Sequence, residues 1–216
     1  MARSAISTWI EFIMGLCPIP DSQVVYNKYM YPAVFLDRDG VLIENREDYV
    51  REWSQVFVYP KTYLSLLRIQ AAGYKIVVVT NQSAVGRGLL SIQTAEAIND
   101  KLIETIRENG SHVDRVYMCP HQPDEGCDCR KPKPGMILRA VRELDLDLSR
   151  SWMIGDAWSD LLAGQSAGAR GLIMVKTGRG FDQSRTSKPE SLQGYSLVDD
   201  LEKAVDTLLI DQGRND

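Results

Sequence analysis

Short apolar runs alternate with stretches of helical spacing along most of this chain. Ala33-Val34-Phe35-Leu36 is apolar throughout and runs into the charged turn Asp37-Arg38-Asp39-Gly40. Residues 60–72 carry Leu64, Leu67 and Ile69 at helical spacing, and Gly73 supplies a stop. Lys75-Ile76-Val77-Val78-Val79-Thr80 is β-branched and apolar, the pattern of a strand buried on both faces. Ser91 can cap a helix running to Asn109, closed by Gly110. Val113 to Met118 reads as the next strand, and 119–133 as a polar, Cys-rich loop. Pro134 suits the first turn of a helix reaching Leu144. Trp152-Met153-Ile154-Gly155 is a short strand followed by Asp156, a helix runs from Ser159 to near Gly168, and Gly171 to Val175 is the last clear strand. Residues 177–195, rich in Gly, Ser and charge, read as a loop, and a final helix is expected over 197–210.

This alternation predicts an α/β fold: a three-layer, Rossmann-like parallel sheet with helices on both faces. In such sheets ligands bind at the carboxyl ends of the strands. The chemically interesting residues fall there. Asp37 and Asp39 follow the first strand, Thr80 to Ser83 end the second, a Cys/His cluster follows the third and Asp156 follows the fourth.

Length and composition narrow the picture. The 216 residues suit one domain, placed at 31–212, with an N-terminal arm of unknown role over 1–30. Ile6, Trp9, Ile10 and Ile13 share one face of that arm, Glu11 interrupts its apolar stretch, and no clean small-residue cleavage site follows. No apolar run reaches the roughly 18–20 residues of a spanning helix, so a cytoplasmic protein without a membrane partner is expected. The hydrophobic fraction of 44% is enough for a core, and a net charge of −4 leaves no footprint for nucleic acid. An anionic ligand would therefore have to be met by local positive charge. A monomer is expected.

Two carboxylates in Asp37-Arg38-Asp39-Gly40 can turn into one site, one to attack phosphorus and one to move protons. A carboxylate attacks an anion poorly unless a cation screens the repulsion, which Mg²⁺ can do, and Asp156 offers a further carboxylate. A plain Asp-Gly turn is the alternative. Thr80-Asn81-Gln82-Ser83 offers a hydroxyl, amides and backbone N–H groups to phosphate oxygens, or is an ordinary strand-to-loop turn. Arg130-Lys131-Pro132-Lys133-Pro134 can neutralise a transferring group, and Arg130 can hold a phosphate bidentately. A solvated basic face is the alternative there.

Three of the four cysteines crowd into residues 119–129. Cys119-Pro120-His121, five residues, then Cys127-Asp128-Cys129 supply three thiolates and an imidazole, the ligand set of a closed structural zinc site. With four protein ligands no position stays open for zinc catalysis. Zinc would instead order the loop and present Arg130 and Lys131. A chance cluster or redox pair is the competing reading, and the isolated Cys17 reads as a small buried apolar residue of the arm.

Together these motifs resemble those of the haloacid dehalogenase-type phosphatases. Phe35-Leu36-Asp37-Arg38-Asp39-Gly40 resembles the first motif and Thr80-Asn81-Gln82-Ser83 the second. Cys129-Arg130-Lys131-Pro132 resembles the third, and Ile154-Gly155-Asp156 with Asp160 the fourth. With the zinc loop this is the pattern of the subgroup that contains D-glycero-D-manno-heptose 1,7-bisphosphate phosphatase and the histidinol-phosphatase domain. The resemblance covers about residues 33–176. It implies Asp37 as the phosphorylated nucleophile and Asp39 as the general acid/base. It implies Mg²⁺ on Asp37, the Asp39 carbonyl and Asp156, and phosphoryl contacts from Thr80 and Asn81. Lys131 would face the phosphate, with Lys133 as the alternative; Arg130 would bind substrate and Asp160 would orient the metal or lysine.

Val41 departs from the threonine often found after Asp-x-Asp-Gly, and the zinc loop is short. Only about twenty residues separate Gly40 from Pro60, too few for a cap domain, so 44–58, with Asn45 and Tyr49, would lie over the site as a specificity loop. The expected partner is a small phosphorylated sugar. Tyr49-Val50 and Arg87-Gly88 resemble the heptose enzymes. Glu44, Glu47 or Asp48 would suit the ammonium group of histidinol phosphate. A zinc-stabilised binding module without catalysis is the third reading, and the intact set Asp37, Asp39, Lys131 and Asp156 argues against it.

Overall fold

A computed structural model describes residues 30–213. The amphipathic arm expected over 1–30 lies, except for Met30, outside the described residues. The chain runs through β1 (Ala33–Leu36), α1 (Thr62–Ala71), β2 (Lys75–Asn81), α2 (Ser83–Gly86), α3 (Ile92–Glu108) and β3 (Arg115–Cys119). It continues through α4 (Gly135–Leu144), β4 (Trp152–Gly155), α5 (Trp158–Ala167), β5 (Gly171–Val175), α6 (Gly180–Ser184), β6 (Ser196–Val198) and α7 (Leu201–Gln212). The strands form one six-stranded sheet in the order β3-β2-β1-β4-β5-β6, parallel at every pairing.

The apolar runs are continuous because both faces of the sheet are covered. Val34 and Leu36 of β1, Ile76 and Val78 of β2 and Ile154 of β4 pack against Leu66 and Ile69 of α1, Ile98 and Leu102 of α3, and Val205 of α7. The alternate residues Phe35, Val77, Val79 and Met153 pack against Met136 and Ile137 of α4 and Leu161 of α5. At roughly 25 cal/mol per Å² of apolar surface these two layers dominate the fold's stability. Ser91 caps α3 as expected, its Oγ accepting from the Thr94 amide at 3.0 Å.

Three expectations are corrected. Leu64 is 57% exposed, because the buried stripe of α1 is Thr62, Ser65, Leu66 and Ile69, an i, i+3, i+4, i+7 set that bypasses it. The last helix starts at Leu201 rather than 197, with Asp200 as its cap accepting from Lys203 N at 3.0 Å, and residues 196–198 pair with β5 as an edge strand. The segment read as a loop over 177–195 contains the short helix α6.

Strand order reverses between β1 and β4. Chains leave these neighbouring strands toward opposite edges, which opens a crevice at their carboxyl ends.

Candidate active site

Asp37 and Asp156 are the first residues after β1 and β4, on the two sides of that crevice. The Asp37 amide donates to Ile154 O at 3.0 Å, so the sheet ladder itself fixes where the carboxylate begins. Asp37 is 4% exposed and Asp156 0%. Asp160, in the first turn of α5, accepts from the amides of Asp156 and Ala157 through Oδ2, at 3.1 and 3.0 Å. Oxygens of Asp37, Asp156 and Asp160 lie within 4.8 Å of one another.

Lys131 reaches into this cluster from the loop before α4. Its buried ammonium sits 2.9 Å from Asp37 Oδ1 and 2.7 Å from Asp160 Oδ1, and donates to Val79 O at 2.7 Å. Asn81 fixes the backbone there: its Nδ2 donates to Lys131 O at 3.0 Å and its Oδ1 accepts from Lys131 N at 3.1 Å. Lys133, the alternative phosphate-facing lysine, instead donates to Gly126 O and pairs with Asp128, both at 3.0 Å, on the outside of the loop.

Burial raises the Asp37 carboxyl to about 7, against the pull of the Lys131 ammonium, and Asp160, Asp156 and Asp39 push it the same way as burial. Burial also raises Asp156, helped by Asp160 and opposed by Arg179. Three desolvated carboxylates facing one lysine and one arginine are still short of positive charge. They are hard oxygen donors of the kind that suits Mg²⁺.

Asp39 is held differently. The buried Arg38 donates to it through Nε and Nη2, at 3.0 and 2.9 Å, and Gln82 Nε2 donates to its Oδ2 at 2.8 Å. Arg38 is anchored in turn by Nη1 on Asn99 Oδ1 at 2.8 Å. The same Gln82 amide donates to Thr80 Oγ1 at 2.8 Å. Thr80 is fully buried and does not line the cavity, so that hydroxyl serves Gln82.

A cavity of about 810 Å³ opens above these groups. Asn81, Gln82 and Ser83 form one wall with Arg130 and Lys131, and Asn45 and Tyr49 of the 44–58 segment line another together with Arg46 and Glu47. Arg179 also lines it, and sequence reasoning missed this residue. Its amide donates to Asp156 Oδ2 at 2.8 Å and its Nη2 to Asp156 Oδ1 at 3.0 Å. The only sequence signal was the Gly178-Arg179-Gly180 run inside a polar stretch. Gly178 has φ +60°, and a Cβ there would meet Asp156 Oδ2 at 2.3 Å and Gly40 Cα at 2.5 Å.

Cys119 closes β3, and His121, Cys127 and Cys129 come back to it. Sulfur separations are 3.6 Å for Cys119–Cys127, 3.3 Å for Cys119–Cys129 and 3.5 Å for Cys127–Cys129. His121 Nδ1 lies 3.5 Å from Cys119 and 3.3 Å from Cys129. A tetrahedron with metal–sulfur bonds of about 2.3 Å has sulfur edges of about 3.8 Å, so this arrangement is compatible with zinc. The cluster is tied to the site. Arg130 Nη1 donates to His121 O at 3.1 Å, and Gln82 N and Gly86 N donate to Cys119 O and Pro120 O at 2.7 and 2.8 Å.

A parallel sheet with this reversal, an Asp-x-Asp turn after β1, a buried lysine before α4 and an acidic pair after β4 defines a phosphatase of the haloacid dehalogenase type, and the chain belongs to that family. The HAD-hydrolase-like family model matches residues 128–204. A D-glycero-beta-D-manno-heptose-1,7-bisphosphate 7-phosphatase of Pseudomonas aeruginosa is 36% identical over 82% of this chain and 97% of its own. One of Helicobacter pylori is 40% identical over 66% and 82%. The crystal structure of D,D-heptose 1,7-bisphosphate phosphatase from B. bronchiseptica, complexed with magnesium and phosphate, superposes with a TM-score of 0.75. It shares 33% identity and covers 83% of this chain and 99% of that one.

Proposed function

We propose that the protein hydrolyses the 7-phosphate of D-glycero-D-manno-heptose 1,7-bisphosphate, with magnesium, through an aspartyl phosphate on Asp37. The observation that carries the reading is the meeting of Asp37, Asp156 and Lys131 at the one crevice where the strand order reverses. Asp37, the carbonyl of Asp39 and Asp156 would hold the ion, which when bound screens the negative charge of nucleophile and phosphate. Asp37 forms its bond to phosphorus as the bond to the sugar oxygen breaks. Asp39 delivers a proton to that oxygen, then takes one from the water that attacks the aspartyl phosphate and releases inorganic phosphate. Lys131 balances charge on Asp37 and the phosphoryl group, with Asp160 orienting it. Asn81 positions Lys131, Gln82 positions Asp39, and Ser83 offers a hydroxyl to the phosphoryl oxygens. Arg130, Asn45 and Tyr49 meet the rest of the substrate.

Cys119, His121, Cys127 and Cys129 would hold a structural zinc. Burial pushes the Cys119 thiol up to about 12, so only a tightly bound cation would keep it a thiolate at neutral pH. Metal analysis should find one zinc for each four-ligand site; a zinc-free, fully active protein would remove this part of the reading.

The test is phosphate release with Mg²⁺ on a panel of the heptose bisphosphate anomers, simple sugar phosphates and histidinol phosphate. The highest kcat/KM is expected on a heptose 1,7-bisphosphate. A preference for histidinol phosphate would transfer the assignment to that substrate, and no turnover of any phosphate monoester would sink it.

A further inference from the structure

Lys131 is the cation of Asp37 and Asp160, and it does not pair with Asp156. Among the described residues the side-chain cation on Asp156 is Arg179. The contact is built into the backbone. Thr177 Oγ1 donates to Gly40 O, and Gly178 presses against the Asp156 carboxylate and Gly40 where no Cβ would fit. Gly180 is seated on Val175 O with equally little room. This strap delivers the Arg179 amide and guanidinium to one carboxylate. The partners are unequally exposed: Asp156 is fully buried, while the Arg179 side chain is 52% exposed and lines the substrate cavity.

Asp156 Oδ1, the oxygen that takes Arg179 Nη2, belongs to the carboxylate proposed above as a magnesium ligand. A buried carboxylate without a cation is costly, and one bound by both a guanidinium and a divalent ion would crowd two positive charges together. We propose that Arg179 is an internal place-holder that neutralises Asp156 until magnesium arrives and is displaced from it by the ion. Metal binding is then an exchange of cations on Asp156. The site stays folded while empty, its magnesium affinity is held below what the carboxylates alone would give, and loading frees the guanidinium toward the cavity that Arg46 and Arg130 also line. The inference rests on the magnesium reading above.

The test is titration of metal-free protein with Mg²⁺ by calorimetry at about pH 8, well above ordinary carboxylate values. R179Q should bind Mg²⁺ about tenfold tighter than wild type, because the ion no longer displaces a forked guanidinium. R179K, which keeps a charge but not the fork, should fall between. Thermal unfolding gives a second readout: R179Q should melt lower than wild type without metal and gain more from added Mg²⁺. Equal or weaker binding by both variants would overturn the place-holder while leaving the metal site intact. No binding by wild type would overturn the magnesium reading, and the inference with it.

Discussion

The carboxylate cluster and the thiol cluster lie at the carboxyl ends of strands of one sheet, yet they are held together by different means. Asp37, Asp156 and Asp160 start from strand ends or a helix turn, are fixed by amide hydrogen bonds of the fold, and have Lys131 and Arg179 among them. Only Cys119 of the thiol set stands on a strand. His121, Cys127 and Cys129 lie on a half-exposed loop with little apolar content, and their short contacts are with one another. A site of the first kind is shaped by the core and keeps its form when empty. A site of the second kind would depend on a bound ion to offset the entropy of ordering the loop. The two meet in the segment Cys129-Arg130-Lys131, whose first residue belongs to the loop and whose last is locked to Asn81 and Asp37.

The largest effect should come from the carboxylate side. Asp37→Asn removes the oxygen proposed to attack phosphorus and should take phosphate release below detection with the fold unchanged by circular dichroism. Near-wild-type turnover would end the aspartyl-phosphate mechanism.

Next in size is a break on the thiol side. Cys129→Ser should release the zinc and lower kcat/KM on the order of 10²-fold, through lost placement of Arg130 more than of Lys131. Arg130 leans on His121 O, whereas Lys131 has Asn81 and two carboxylates to hold it. The far-ultraviolet spectrum should persist, because the two apolar layers are built mainly from the strands and helices, and the thiol loop joins them only through Cys119 with Cys127 and Cys129 at its edge. Full activity without zinc would show that the loop does not position the site, and global unfolding would show that zinc holds the whole domain.

The contrast also marks what was legible in the sequence. Apolar runs located β1, β2 and β4, and the aspartates directly after β1 and β4 located the carboxylates, because burial on both faces leaves little polar sequence to blur such strands. The cysteine spacing located the loop for an equally local reason. Features that depend on a distant partner were not legible. β6 has three residues, at most half-buried, that become a strand only by pairing with β5. Thr80 reads as a hydroxyl for the ligand until the sheet buries it beneath Gln82. Arg179 acquires its place beside Asp156, at a spacing of 23 residues, only when Gly178 folds against that carboxylate.

A smaller effect sharpens the difference in what each site costs when empty. The Asp37 carboxyl rises from an ordinary 3.8 to about 7 on folding, so between those values the native state binds more protons than the unfolded one. The contribution of Asp37 to stability must then fall as pH rises from about 4 to about 7. Asp37→Asn lacks this penalty. Without metal the variant should be more stable than wild type at about pH 8, by on the order of 1–3 kcal/mol, with the gap closing toward pH 4. Denaturant midpoints across that range measure it, and added Mg²⁺ should narrow or reverse the order at pH 8 by binding wild type better. A gap that is independent of pH would mean that burial does not perturb Asp37.

The smallest effect should come from Lys133, two residues beyond Lys131 and on the opposite side of the loop. Its ammonium pairs with Asp128, whose side chain is 99% exposed, and donates to Gly126 O. Exposed pairs of this kind contribute about 0–1 kcal/mol, and neither partner touches the cavity. Lys133→Ala should therefore leave kcat within about threefold of wild type. The hydrogen bond to Gly126 also braces the turn before Cys127, so the variant should lose zinc somewhat faster to a chelator, a rate that a chromogenic metal indicator follows. Lys131→Ala is the matched control, because it removes the ammonium between Asp37 and Asp160 and should cost at least 10²-fold in kcat. If the two substitutions exchanged effects, the phosphate-facing lysine would be Lys133, and the loop would have to turn over in the loaded enzyme.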